Sequence, residues 1–82
     1  KLIRNIEMLY QVQVKTDNQR VYRKLSVTMR SVEALKNDLE QYVIMYAQDN
    51  QINHDSVSAQ IIDQDSNVVF ERLSNAEVNK QK

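Results

Sequence analysis

"SVEALKNDLEQYVIMYAQDN", residues 31–50, carries the strongest periodic signal in the chain. Val32, Leu35, Leu39, Tyr42, Val43 and Tyr46 recur at helical spacing, so one stripe of an α-helix is apolar. Ser31 is a good N-cap, because its hydroxyl can accept an amide proton that the first turn leaves unpaired. Glu33 in that turn suits the positive end of the helix dipole. The spacing predicts a helix from roughly Val32 to Gln48. Asn50 is expected at the left-handed position that glycine usually fills after a helix.

Upstream the period falls to two. Met8, Tyr10, Val12 and Val14 alternate with Leu9, Gln11, Gln13 and Lys15. Val21, Leu25, Val27 and Met29 alternate with Tyr22, Lys24, Ser26 and Thr28. Between the two runs lies Thr16-Asp17-Asn18-Gln19, whose Asp-Asn pair suits a tight turn, so the region reads as a β-hairpin. Downstream, "SVSAQII" and "NVVFERL" form a second pair around Asp63–Asn67. Val57, Ala59 and Ile61 share a face, whereas the consecutive Val68, Val69 and Phe70 leave the facing of the last strand open.

The order is ββαββ, and one helix with one apolar stripe covers one face of one sheet. The expected fold is therefore a two-layer α+β domain, with a mostly antiparallel four-stranded sheet. If the helix makes a right-handed crossover, the first and last strands can pair in the middle. In element order and lengths, from about Met8 to Leu73, the chain resembles the ubiquitin-like β-grasp. That resemblance is architectural and implies no activity. A different strand order is the alternative. Residues 1–7 form a lead-in of ambiguous structure, 8–73 a single domain, and 74–82 a loose tail or short helical turn. "SNAE" at 74–77 matches a capping box.

Composition narrows function by exclusion. The 82 residues make one small domain, about 60% of whose unfolded surface is buried on folding, with no room for an enclosed substrate cavity. Cysteine is absent, so disulfides, thiol chemistry and cysteine-bound zinc are excluded. Glycine and proline are absent too. No phosphate loop, dinucleotide fingerprint or nucleophile elbow of the glycine-dependent kind can form. Positive φ angles are then expected to fall to Asn or Asp. No apolar run reaches the roughly 18 residues needed to cross a bilayer. We expect a cytoplasmic chain, with the N-terminus open to processing.

Charge is distributed unevenly. Residues 1–36 hold eight basic against three acidic residues, and residues 37–73 hold Arg72 against seven acidic ones, while the whole chain is neutral. The basic share concentrates at Lys15, Arg20, Arg23 and Lys24 around the first hairpin, with Tyr22 among them. Cations with a ring can hold an anionic partner, and a single-stranded nucleic acid is the instance with the plainest chemistry. The plainer reading is edge protection, since lysine and arginine keep an unpaired strand from aggregating. On the helix, Ile44 points away from the apolar stripe and Met45 lies on its flank, so the two are candidates for a protein contact. Isolated exposed apolar residues are also ordinary.

Metal and catalytic patterns are weak. Asp49, Gln51, Asn53 and Asp55 alternate, and "DQDSN" begins like a calcium loop, but both lack the required glycine and the closing glutamate. His54 stands alone where zinc needs three or four ligands. Ser56 or Ser58 with His54 is the remaining nucleophile–base pairing, on neighbouring positions of a loop and a strand start. The expected protein is a non-enzymatic binding domain with no cofactor. Its expected partner is another protein or a second copy, with nucleic acid as the alternative and no membrane partner.

Overall fold

The computed structural model describes residues 8–80, so the lead-in at 1–7 lies outside the described residues. In chain order it contains β1 (Tyr10–Thr16), β2 (Arg23–Thr28), α1 (Val32–Asp49), a short 3-10 turn (His54–Ser56), β3 (Val57–Ile62), β4 (Val68–Arg72) and α2 (Asn75–Lys80). The fold is α+β, with one four-stranded antiparallel sheet and α1 packed on one of its faces. No helix among the described residues is long and apolar enough to cross a membrane.

The ends of α1 follow from local chemistry. Ser31 is extended, and its Oγ accepts the Ala34 amide at 3.1 Å. At the other end the helix runs on through Asp49, and Asn50 keeps a negative φ of −102°. The left-handed position falls to Gln51, at φ 58°. It is fixed by the pair of closing bonds, Ile52 N–H to Ala47 O at 2.9 Å and Gln51 N–H to Gln48 O at 3.2 Å. Ser66 is the other described residue at positive φ, at 68°. There Asp63 Oδ1 accepts the amides of Asp65 and Asn67, each at 2.9 Å, which sets the path of the turn whatever residue fills its fourth position. The expectation that Asn or Asp would take the positive φ positions is thus corrected at both sites. Hydrogen-bond count along the turn overrode residue preference.

The strand order is β2-β1-β3-β4. The middle pair is the first and third strands, antiparallel, and the last strand lies at an edge. This corrects the β-grasp-like arrangement, which needs the first and last strands paired in the middle. The physical reason lies in burial. β3 is buried at Val57, Ser58, Ala59 and Ile61 and so takes the position with a neighbour on each side, while β4 is half exposed along its length. β2 and β3 run in the same direction with β1 between them, so α1 bridges a crossover that skips one strand.

Val12 and Val14 of β1, Leu35, Leu39, Val43 and Ala47 of α1, and Val57, Ala59 and Ile61 of β3 make the core. Tyr10, Tyr42, Tyr46 and Phe70 pack around it. Each fully buried leucine or valine contributes about 1.5–3 kcal/mol of apolar burial. Phe70 sits opposite Ile61 and faces the helix, where Lys36 Nζ lies 5.1 Å from its ring centre. On the β4 side of α1, Arg72 donates to Glu40 at 2.7 Å and to the carbonyls of His54 and Val57. On the β2 side, Arg30 pairs with Asp38.

Both edge strands carry a bulge. In β2 the register shifts between the partners of Val12 and Gln13, which leaves Leu25 as the extra residue. Leu25 turns to the helix side and lines a cleft with Tyr42, Met45 and Tyr46, while Val27 pairs with Gln11 on the opposite face. The alternation expected to put Leu25 and Val27 on one face is broken here. In β4 the shift between the partners of Ile61 and Ile62 leaves Val69 as the extra residue.

Candidate functional site

The face of the sheet away from α1 has two unlike ends. In the rows across the strands, Lys24, Gln13, Gln60 and Glu71 lie side by side, and so do Val27, Gln11, Ile62 and Val68. The centre is held by a run of glutamines. Gln60 Nε2 donates to Gln13 Oε1 at 2.7 Å, and Gln13 Nε2 donates to Gln11 Oε1 at 2.6 Å. Cross-strand pairs of polar side chains such as Gln60 and Gln13 each add a modest stabilisation to the sheet.

Towards the β3–β4 turn this face is open, and apolar and polar side chains share it. Leu9, Val27 and Ile62, with Tyr10, Gln11, Asp63, Gln64 and Ser66, line a cleft of about 270 Å³. Val27 and Val68 are each 50% exposed at opposite edges of one row. The Leu9 amide donates to Gln64 Oε1 at 3.1 Å, tying the start of β1 to the turn. Asp63 closes that turn, and the amide of Asn67, followed by that of Asp65, holds its carboxyl below the usual carboxylate range.

The other end of the face is closed by α2. Ser74 is buried and caps α2, its Oγ accepting the Glu77 amide at 3.2 Å and donating to Asp17 Oδ1 at 2.6 Å. The Ser74 amide donates to Ser58 Oγ at 2.9 Å, and Ser58 is itself buried. Ser58 therefore serves as an anchor for the C-terminal helix. Ser56 and His54 sit together in the short 3-10 turn, where His54 Nε2 lies 3.4 Å from Asp55. Among the described residues no group of three metal-ligating side chains comes together.

The residues expected to hold an anionic partner divide between two environments. Lys15 Nζ lies 3.6 Å from Glu77 and 5.7 Å from the centre of the Tyr22 ring, with its side chain 14% exposed. Tyr22 is half-buried, and burial first, then the charge of Glu71, raises its ionisation above the ordinary tyrosine value. Arg20, Arg23 and Lys24 are exposed and have no ion-pair partner among the described residues.

The two helix positions separate as well. Met45 is 60% exposed and lines clefts on the β2 side, one with Asp38, Gln41 and Tyr42, the other with Leu25, Ser26, Tyr42, Tyr46 and Asp49. Ile44 is half-buried and lies about 100° further round the helix. The open-face residues Leu9, Val27, Ile62 and Val68 were not legible as a group in the sequence. Only the strand register reveals that Val27 and Val68 share a row. No protein-family model, no curated protein and no solved structure matches the chain, so this surface is read from its own residues alone.

Proposed function

We propose that this domain is a non-enzymatic binding module that docks another protein on the open end of its sheet. The supporting observation is the contrast along one face: α2 covers one end, while Leu9, Val27, Ile62 and Val68 stay accessible at the other around a cleft rimmed by Gln11, Gln64 and Ser66. Apolar centres with polar rims are what protein contacts bury. Met45, with Leu25 and Tyr42, offers a second apolar strip on the β2 side, with the half-buried Ile44 next to it on the helix. A photo-crosslinking amino acid at Val27 tests the reading, with the same probe at Glu33, on exposed helix surface, as the control. Discrete adducts from position 27 alone are expected; equal labelling from both positions overturns it.

A second reading rests on Arg20, Arg23 and Lys24, exposed and without an ion-pair partner among the described residues. These can contact the phosphates of a single-stranded nucleic acid, without the Tyr22 ring, which is half-buried beside Lys15. Fluorescence anisotropy with labelled oligonucleotides decides it. Binding must weaken steeply with salt and vanish in an Arg23→Glu, Lys24→Glu variant, whereas silence at low salt removes nucleic acid. We place the module in the cytosol, with which a chain without cysteine is compatible. Cell fractionation checks this.

A further inference from the structure

We infer that the partner of the open sheet is a second copy of this chain, joined edge to edge so that β4 of one copy continues into β2 of the next. The inference rests on the reading of the sheet as a protein-contact surface and places a second copy at its edges, where Val27 and Val68 end one row; the cleft between Leu9 and Ile62 stays open.

Three observations carry it. First, direction: β1 is antiparallel to both β2 and β3, and β3 is antiparallel to β4. A copy set beside the first with the same face up therefore presents its β2 antiparallel to β4, the pairing the rest of the sheet already uses. Second, charge: Lys24 and Glu71 stand at the two ends of one row on the open face, both exposed, neither with an ion-pair partner among the described residues. Edge-to-edge addition sets Glu71 of one copy against Lys24 of the next. Third, apolar match: the next-but-one row ends in Val27 and Val68, each 50% exposed, and the same step sets them together.

The obvious clash is avoided. Arg23 and Arg72 also end a common row, on the helix side. Arg72, however, is drawn back to Glu40 and to the carbonyls of His54 and Val57, and only 20% of its side chain is exposed. Four strands at about 4.8 Å keep successive helices roughly 19 Å apart, wider than a helix of about 10–12 Å. The bulges at Leu25 and Val69 shorten the shared ladder, which makes the association weak and transient. Because β2 meets β4 and not itself, the contact is heterologous and grows as an open series; the sheet's twist coils that series.

Sedimentation velocity on the full chain, from micromolar to millimolar concentration and at two salt levels, tests the inference. The average mass is expected to rise without a plateau at the dimer and to fall with added salt. Lys24→Glu and Glu71→Lys are each expected to weaken association about tenfold, since like charges replace the pair. An equimolar mixture of the two variants, and the double variant Lys24→Glu/Glu71→Lys, should regain it. Both positions are exposed, and circular dichroism confirms that the variants fold. A monomer at every concentration, a plateau at the dimer, or a double variant no better than the singles each overturns the inference. The Val27 crosslink keeps the two readings apart. Adducts to other proteins from a monomeric chain would sink the self-pairing and leave the binding module standing, while no adducts at all would sink both.

Discussion

The two faces of the sheet use the same strands to different ends. On the covered face Val12, Val14, Ala59 and Ile61 meet Leu35, Leu39 and Val43, and all of them are almost fully buried. On the open face the alternate residues Gln11, Gln13 and Gln60 bond to one another, with apolar side chains at one end and a polar knot at the other. The lesson is that stability and recognition have been separated by the period of the strand. A residue on the covered face cannot change without disturbing the core, whereas one on the open face answers mainly to what comes to sit on it.

That separation can be broken at graded sites. Leu35→Ala should cost about 3 kcal/mol, since it removes a fully buried side chain and leaves a cavity, while Val27→Ala should cost under about 1 kcal/mol. Urea midpoints of the pair give the difference; equal losses would mean that the open face is part of the core. Ser74→Ala sharpens the contrast from the polar side, because it removes both the α2 cap and the bond to Asp17. A loss of about 1–2 kcal/mol is expected, with faster exchange of the α2 amides. Gln51→Gly should stabilise the chain by about 1 kcal/mol by relieving the left-handed backbone at the end of α1, read as a raised Tm.

The smallest effect is the pH dependence of the Asp63 turn. The native turn lowers this carboxyl's pKa, so its contribution is present above the ordinary value and is lost as pH falls through the native one. An Asp63→Asn variant should show a flatter acid limb below about pH 4 than the parent, measured as the urea midpoint against pH. Parallel acid limbs would show that the turn's amides do not depend on that charge.

Much of this fold was legible. Ser31 and the Leu35–Leu39–Val43 stripe fixed the helix start and its buried side, because capping and periodicity are local. The end of α1 lies one residue beyond where residue preference puts it: Asn50 is the better left-handed residue, yet the two closing hydrogen bonds select Gln51. Strand order was not legible, since alternation states which side a residue faces and not which strand lies next to it. The bulge at Leu25 leaves no mark in the alternation, and the one at Val69 shows only as the broken period of Val68, Val69 and Phe70, which does not say which residue is extra. The candidate surface was legible only as types. Arg20, Arg23 and Lys24 were visible as cations, but the turn of Lys15 and Tyr22 towards Glu77 depends on α2 returning to β1 from the far end of the chain.

The strand directions also have a mechanical meaning. The described chain enters at the foot of β1, beside the β3–β4 turn, and leaves past the opposite end of β4, where α2 is tied to Ser58 and Asp17. Tension applied through the two ends therefore draws β1 and β4 lengthwise in opposite senses. The bonds that join β1 to β3 and β3 to β4 lie across that path and are loaded in shear, and are not opened one by one as in a peeled hairpin. A domain so arranged yields late and abruptly under pull, with the rate of that rupture governing its endurance.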